Sequence, residues 1–123
     1  MTDLTITGTP NTPEIEFLAN GNLHISGRAI PEDSISFFEP LFKWCEQLVV
    51  NELIIHVNLD YINTSSTKQL MSLFKTLTKK EEIGPITIKW KYEEDDEDML
   101  EAIEYFQESI ESIKFEYITC ADD

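Results

Sequence analysis

Apolar and polar residues alternate along five segments of the chain, which predicts five β-strands. The alternation is clearest in residues 86–92, where isoleucine, tryptophan and tyrosine stand at every second position between threonine and lysine. Because successive side chains of a strand point to opposite faces, a period of two indicates a strand with one buried face. Asn20-Gly21 before Asn22 predicts a hairpin turn, since both residue types accept positive φ. The predicted strands cover residues 14–18, 22–28, 52–59, 86–92 and 114–119.

Apolar residues at intervals of three and four predict three amphipathic helices between and after these strands. The second helix is expected to stop before Gly84-Pro85, a pair that terminates helices. Pro40 conflicts with the first helix, because proline removes one helical N–H group and crowds the preceding turn. Two solutions stay open: a late start with a capping box of Ser36 and Glu39, or a kink. The predicted helices cover residues 34–50, 65–82 and 96–113.

The resulting order of elements is β-β-α-β-α-β-α-β. Strands buried on both faces would be continuous apolar runs, whereas these strands alternate, so helices are expected mainly on one face of the sheet. Right-handed crossovers through the helices make the later strands parallel, and the N-terminal hairpin makes the sheet mixed. The predicted fold class is α/β, a two-layer sandwich, and 123 residues are expected to form a single domain over residues 1–123.

The charge of the chain is strongly negative. Its 24 aspartate and glutamate residues outnumber 9 lysine and arginine residues, for a formal net charge of −15. A surface this acidic repels phosphate backbones and anionic lipids, which argues against binding to nucleic acid or to a membrane surface. The acidic residues concentrate after residue 92, whereas the second predicted helix carries Lys68, Lys75, Lys79 and Lys80. Such asymmetry suits electrostatic contact with protein partners, and a merely solubilising surface is the alternative.

The sequence offers no recognisable arrangement of catalytic or metal-binding residues. Cys45 and Cys120 are too few and too far apart for a disulfide framework or a zinc site. His24 and His56 lie between apolar residues of predicted strands, so both are expected on the polar face of the sheet. There is no glycine-rich phosphate loop. We therefore expect no enzyme activity, no catalytic residues, no cofactor and no metal.

Targeting and membrane signals also bear on where the protein acts. No apolar stretch approaches the ~20 residues that span a bilayer, and the first residues lack the basic and apolar regions of a signal peptide. The expected location is the cytoplasm.

Four consecutive hydroxyl side chains, Thr64 to Thr67, stand where a predicted strand passes into the second predicted helix. A helix N-terminus presents unpaired N–H groups and the positive end of the helix dipole, so negative charge is favourable there. Hydroxyl groups at this position make good helix caps and also good phosphate acceptors. On these residues alone, both roles stay open.

The run from Glu93 to Asp98 consists entirely of carboxylates. Clustered carboxylates attract calcium, but an EF-hand-type loop needs alternating ligands and a central glycine, which this run does not have. A catalytic acid–base pair would require desolvated groups, and these carboxylates are expected in water. The run is interpreted as a solvated loop that caps the third helix at its positive end and that is available for contact with a partner. The candidate contacts are Glu93, Glu94, Asp95 and Asp96.

Four segments of the chain resemble the SiaC-type regulatory phosphoproteins, a bacterial family. Asn63-Thr64-Ser65-Ser66, before a helix with lysine and methionine, resembles the phosphorylation motif of that family. The four segments follow the order of the family over nearly the whole chain. The other three are residues 8–15 (GTPNTPEI), similar to the opening segment, residues 27–34 (GRAIPEDS), similar to the loop into the first helix, and residues 90–99 (WKYEEDDEDM), similar to an aromatic-then-acidic signature.

The resemblance implies a non-enzymatic switch protein that is controlled by phosphorylation. Thr64 would accept the phosphate, with Ser65 as the alternative, and Asn63, Ser66 and Lys68 would contact the phosphate or the partner. In the family, a kinase with a histidine-kinase-like ATPase fold adds the phosphate and a PP2C-type, metal-dependent phosphatase removes it. The unphosphorylated form binds and activates a diguanylate cyclase, which raises cyclic di-GMP and favours biofilm formation.

Two other functions stay open on the sequence. A more distant likeness links the chain to the STAS domains of anti-sigma-factor antagonists, although Asn63 and Ser66 stand where those domains have aspartate and glycine. This likeness implies the same two-layer sandwich and permits an anti-sigma-type partner. The alternative from another class is a small-ligand or cation-binding module, built on the polar sheet face and the acidic loop.

Overall fold

A short strand precedes the predicted hairpin, so the elements follow in the order β-β-β-α-β-α-β-α-β. This order holds over residues 1–120, which are the residues that the computed structural model describes; the last three residues of the predicted domain lie outside them. The strands are β1 (Leu4–Ile6), β2 (Glu14–Phe17), β3 (Asn22–Ala29), β4 (Leu53–Ile62), β5 (Ile86–Glu93) and β6 (Lys114–Cys120). The helices are α1 (Ser34–Glu46), α2 (Thr64–Thr78) and α3 (Glu97–Ser109).

The strands form one sheet in which each strand pairs with its neighbour in sequence, in the order β1-β2-β3-β4-β5-β6. β1, β2 and β3 pair antiparallel, whereas β3 to β6 pair parallel. Gly21 turns the chain between β2 and β3 with a φ of 99°. A Cβ atom at this position would lie 2.5 Å from the carbonyl oxygen of Glu52. The positive φ and the lack of room for a side chain therefore both require glycine. The predicted hairpin and the mixed sheet are confirmed.

The hydrophobic core lies between the helices and one face of the sheet. Because the parallel strands follow in sequence order, right-handed crossovers place all three helices of the described chain on the same face. Trp90 of β5 is fully buried, and its ring centroid lies 5.1 Å from that of Phe106 in α3. The Phe106 ring in turn contacts Phe74 of α2 at 5.7 Å. Burial of each such side chain contributes about 1.5–3 kcal/mol, so these contacts hold the two layers together.

A β-bulge extends β4 past its predicted end at residue 59. The pairing register between β3 and β4 shifts between Gly27 and Arg28, so that Arg28 lies opposite Tyr61 and Asp60 has no residue opposite it. The extra residue lets the strand continue to Ile62. The bulge therefore sets the point at which the chain leaves the sheet and enters α2.

Helix α1 begins at Ser34 and continues through Pro40, so the late start with a capping box of Ser36 and Glu39 is wrong. The N-cap is Asp33, whose carboxylate accepts hydrogen bonds from the Ser36 N–H at 3.1 Å and from the Ser36 hydroxyl at 2.8 Å. Glu39 forms an exposed salt bridge with a lysine one turn further on. The side chain of Pro40 is exposed, so its ring lies on the water side of the helix.

All three helices end earlier than predicted, at Glu46, Thr78 and Ser109. The apolar spacing continues beyond these residues because the connecting segments also pack on the core. Leu48 and Ile83 are buried although both lie outside the helices. After α2, the N–H groups of residues 79 and 80 bond to carbonyls three residues earlier, which closes the helix with a tighter turn. None of the helices within residues 1–120 is long and apolar enough to cross a membrane.

Candidate functional site

Asn63 fixes the junction between β4 and α2. Its backbone N–H donates to the carbonyl of Ala29 at 2.9 Å, which joins the junction to β3. Its side-chain oxygen accepts a hydrogen bond from the Ser66 N–H at 2.9 Å, the geometry of a helix N-cap. Its side-chain NH₂ donates to the carbonyl of Pro31 at 3.3 Å. The first turn of α2 is therefore held to the loop that leads into α1.

The four hydroxyl groups of this junction have different environments. Thr64 and Ser65 are exposed, Thr67 is half-buried, and Ser66 is 0% exposed. The hydroxyl of Thr67 donates to the Asn63 carbonyl at 3.0 Å, and that of Ser66 has no hydrogen-bond partner. Ser66 is buried and the Thr67 hydroxyl is held by a hydrogen bond, so Thr64 and Ser65 are the two hydroxyl residues of the junction with exposed side chains.

Thr64 and Ser65 also differ from each other. The hydroxyl of Ser65 donates to the side-chain oxygen of Asn63 at 3.3 Å. The hydroxyl of Thr64 makes no hydrogen bond to another residue of the described chain. Thr64 is the first residue of α2, where the N–H groups of the first turn and the helix dipole favour negative charge. Of the candidate phosphate acceptors, Thr64 is the one whose hydroxyl has no role in the cap.

Lys68 lies one helical turn after Thr64, on the same side of α2, and its side chain is exposed. It lines a groove of about 370 Å³ between α2 and α3, whereas Thr64 lies outside the groove at its N-terminal end. The predicted phosphate contacts therefore divide into two groups. Asn63 and Ser66 build the helix cap, and Lys68 remains available on the surface.

The acidic run from Glu93 to Asp98 forms the turn between β5 and α3 and the first turn of that helix. Asp96 is the N-cap of α3, and its carboxylate accepts a hydrogen bond from the Met99 N–H at 3.0 Å. Glu97 and Asp98 follow in the first helical turn, where the dipole favours carboxylates. The predicted capping role of this run is confirmed. Glu93, Glu94 and Asp95 are exposed beside the cap.

The acidic turn lies next to the end of β4. An open groove of about 670 Å³ is lined by Glu93, Asp95 and Asp96 of the turn together with Asp60 and Tyr61 of β4. A smaller groove of about 300 Å³ continues from these residues to Thr67 in the first turn of α2. The structure thus brings most of the predicted acidic residues to the same end of the sheet as the hydroxyl junction; Glu94 does not line either groove.

Arg28 and Tyr61 belong to the surroundings of this site, and the sequence did not indicate them. The guanidinium carbon of Arg28 lies 4.7 Å from the centre of the Tyr61 ring, a cation–π contact. Tyr61 is 58% exposed and stands three residues before Thr64. The contact depends on the bulge between β3 and β4, which has no signature in the residue pattern. An exposed aromatic residue at a strand end was the only available signal.

The two histidines lie on the sheet face away from the helices, as predicted, and they stack on each other. Their ring centroids are 4.3 Å apart, with 5° between the ring planes. This contact follows from the parallel register, in which His24 lies opposite His56. Partial burial, followed by the neighbouring His24 and Lys89 charges, lowers the pKa of His56 from its ordinary value. The groove around them is also lined by Ser26, Lys89 and Lys91.

The two cysteines of the described chain are free thiols, one buried and one half-buried. Cys45 is 1% exposed, and burial raises the pKa of its thiol to about 12, so it acts as a small core side chain. Cys120 is half-buried, with its thiol 3.3 Å from the carbonyl oxygen of Tyr92. Within residues 1–120, no three histidine, cysteine, aspartate or glutamate side chains are placed to hold one metal ion.

The fold and the junction define a class of protein: a two-layer α/β domain with an accessible hydroxyl pair at the N-terminus of a helix. The model of the SiaC family regulatory phosphoproteins matches residues 6–120 of the chain. The chain belongs to the SiaC family.

Relatives and solved structures agree with this assignment. An uncharacterized protein of Pseudomonas aeruginosa strain UCBPP-PA14 is 33% identical over 113 residues, which cover 88% of this chain and 90% of the relative. A chain in the crystal structure of the P. aeruginosa diguanylate cyclase SiaD in complex with its activator SiaC superposes with a TM-score of 0.84 at 29% identity, covering 96% of this chain and 100% of that chain. The structure of apo-SiaC from the same organism superposes with a TM-score of 0.78 at 28% identity. The match covers 96% of this chain and 99% of that chain. The predicted family and fold class are confirmed.

Proposed function

We propose that this chain is a non-enzymatic switch protein, whose unphosphorylated form binds and activates a diguanylate cyclase and whose phosphorylation at Thr64 ends that binding. The observation that carries the proposal is the exposed hydroxyl of Thr64 at the first position of α2, which makes no hydrogen bond within residues 1–120. Membership of the SiaC family and similarity to a chain of the SiaD–SiaC complex support the choice of effector.

Two enzymes would set the phosphorylation state. A kinase with a histidine-kinase-like ATPase fold transfers the γ-phosphoryl group of ATP to the oxygen of Thr64, and the hydroxyl proton is lost. A PP2C-type phosphatase hydrolyses the phosphate ester with water. ATP and metal ions belong to these enzymes, so this chain needs no cofactor. We place the cycle in the cytoplasm, where ATP is available.

The junction suits a phosphate on Thr64. Phosphorylation adds a charge of about −1.5 to −2 near pH 7. Residues 64 and 65 present N–H groups at the positive end of the α2 dipole, and Lys68 offers an ammonium group one turn further on. The hydrogen bonds of the cap use Asn63 and need no change. We therefore expect phosphorylation to alter the stability of the fold little and to alter the binding surface strongly.

The acidic turn is a second contact in this proposal. Glu93, Glu94, Asp95 and Asp96 lie at the same end of the sheet as the junction. Their charge would attract a basic region of the effector during its approach.

The test is a calorimetric titration of a SiaD-type diguanylate cyclase from the same organism with the bare protein and with the protein phosphorylated by its kinase. Mass spectrometry locates the phosphate. We expect it on Thr64, and we expect the phosphorylated form to bind at least roughly ten-fold more weakly. Thr64→Ala should bind like the bare protein and no longer respond to the kinase. Thr64→Asp should bind poorly, although a carboxylate imitates only part of the phosphate.

Ser65→Ala is the matched control, because it removes the neighbouring exposed hydroxyl and leaves Thr64 intact. This variant should still be phosphorylated and should still lose binding. A phosphate found on Ser66 or Thr67 with Thr64 unmodified would refute the assignment of the site. Equal affinities of the two forms for the cyclase would refute the switch and leave Thr64 as a structural residue.

A further inference from the structure

Four residues follow Thr64 along one side of α2 and its C-cap, and we name them the α2 stripe: Lys68, Met71, Lys75 and Lys79. The residues follow Thr64 at intervals of four, three, four and four, so they share one side of the helix. All four line the groove between α2 and α3, and the opposite wall carries Tyr105 of α3. The groove therefore has three ammonium groups along one wall and apolar surface from Tyr105, whereas Met71 is only 7% exposed.

No acidic residue of the described part of the chain pairs with a lysine of the α2 stripe. Within residues 1–120, the salt bridges join Lys43 to Glu39 and Lys114 to Glu116, and none holds a lysine of the stripe. All three lysines are exposed. On a chain with a formal net charge of −15, three exposed lysines along one side of one helix are a local concentration of positive charge.

Lys80, two residues after the end of α2, has a different role from the lysines of the stripe. Its ammonium group donates to the carbonyl of Glu46 at 2.7 Å, which holds the end of α2 against the end of α1. The stripe residues make no such bond to another residue in the described range. Their charges face the groove. No segment of the described residues lies in the groove to pair with these charges.

We propose that the α2 stripe is the docking surface for an acidic helical segment of the effector. The inference rests on the proposed function and specifies the chemistry of its partner. Lys68 and Lys79 are separated by 11 residues, or about 16 Å along the helix axis. A partner helix of about this length, in either direction, would reach all three lysines. Its carboxylates would pair with the lysines, and an apolar side chain would lie on Tyr105, which is 55% exposed.

This surface connects binding to phosphorylation. Thr64 stands one turn before Lys68, at the end of the stripe. A phosphate there brings about −1.5 to −2 charge beside the first lysine, which repels an acidic helix and occupies one of its contacts. The phosphate on Thr64 thus competes with the carboxylates of the partner for the ammonium group of Lys68.

The test compares two variants with the same net charge. Lys75→Glu/Lys79→Glu reverses two charges of the stripe, and both sites are far from the cap at Asn63. Lys43→Glu/Lys114→Glu reverses two lysines elsewhere and loses only exposed salt bridges, which contribute little. Affinity for the purified SiaD-type diguanylate cyclase is measured by calorimetry at two salt concentrations. We expect the stripe variant to lose roughly ten-fold or more in affinity and the control variant to stay within about three-fold of wild type.

A helical content equal to that of wild type, by circular dichroism, shows that the stripe variant is folded. If both variants bind like wild type, the docking surface is wrong while the proposed effector stands. If the unmodified wild type does not bind the cyclase, the proposed function fails and this inference fails with it. If sedimentation shows a wild-type dimer that the stripe reversal dissociates, the occupant is a second copy of this chain and the proposed effector segment is wrong.

Discussion

Asn63 is the single residue on which most of the site depends. It caps α2 through Ser66 and holds the loop at Pro31. We predict that Asn63→Ala lowers the free energy of unfolding by about 1 kcal/mol, within the ~0.5–2 kcal/mol range for a lost N-cap. Urea denaturation measures the change. Thr64→Ala is the control, expected within about 0.5 kcal/mol of wild type because its side chain is exposed and its hydroxyl makes no hydrogen bond to the described residues. Equal stability of the two variants would show that the cap is not structural.

His56 makes the stability of the fold depend on pH. Burial, with the charges of His24 and Lys89, lowers its pKa in the folded state, whereas the unfolded chain takes up the proton near the ordinary value of 6.5. The unfolded state therefore binds more protons below pH 6.5. The contribution of His56 to the free energy of unfolding is complete above pH 6.5 and is lost as the pH falls through the folded-state pKa.

We predict that the melting temperature of wild type decreases between pH 7.5 and pH 5.5, and that His56→Gln decreases less. The groups that face the histidine pair across the neighbouring strands are Glu16, opposite His24, and Lys89, opposite His56. Thermal unfolding followed by circular dichroism provides the comparison. Parallel curves for the two proteins would show that His56 does not titrate between these pH values.

The hydroxyl junction was visible in the sequence, but the state of each hydroxyl was not. The residue types and their place before a helix predicted a cap or a phosphate acceptor. Which hydroxyl is buried depends on the direction in which α2 leaves the sheet, and the bulge at Asp60 sets that direction. Local sequence does not encode such a register shift. The burial of Ser66 and the contact of Arg28 with Tyr61 therefore required the structure.

At the scale of elements, the acidic turn between β5 and α3 contains one residue that caps the helix, Asp96, and exposed carboxylates that we expect to steer the partner. We predict that neutralising Glu94, Asp95 and Glu97 to the corresponding amides lowers the association rate with the cyclase roughly three- to ten-fold at low salt and weakens its salt dependence. Asp96 stays unchanged, so the cap of α3 is kept. Exposed charges act within a Debye length of about 8 Å at physiological ionic strength, so the effect should shrink as salt is added. Stopped-flow mixing measures the rates.

The control for this prediction neutralises the same number of exposed carboxylates at Glu32, Glu52 and Glu111. Its association rate should change less than that of the turn variant, because the position of the charges matters and not only their sum. An association rate that responds neither to the turn variant nor to salt would contradict steering.

Elements with a long, regular pattern were predictable, and those that tertiary contacts decide were not. β5 alternates over its full length and was placed within one residue of its observed end. β1 has only three residues, Leu4–Ile6, and two of these are half-buried, so no period stands out. The ends of the first and third helices were missed because Leu48 and Ile110 continue the apolar spacing from connecting segments, and the second helix ends before the Gly84-Pro85 pair that was expected to stop it. Hydrophobic spacing reports burial, and burial does not stop where a helix stops.

The whole molecule carries two separate charged surfaces, one acidic and one basic. The acidic turn lies at the carboxyl end of the parallel strands, and the lysines of the α2 stripe lie along a helix on the covered face. A partner that meets both must present a basic and an acidic region in a fixed relation. Such a pattern gives orientation as well as attraction, since the reversed approach places like charges together.

The strictly sequential order of the sheet has a consequence for how the chain folds. Each strand finds its partner in the strand before it, so no pairing must wait for the two ends of the chain to meet. Loop-closure entropy is then lost in small steps, through a hairpin first and one helical crossover at a time. A topology with such short sequence separations favours rapid folding compared with β-sandwiches of similar size. The sheet can also be assembled in the direction of synthesis, with each new strand added to the edge left by the last.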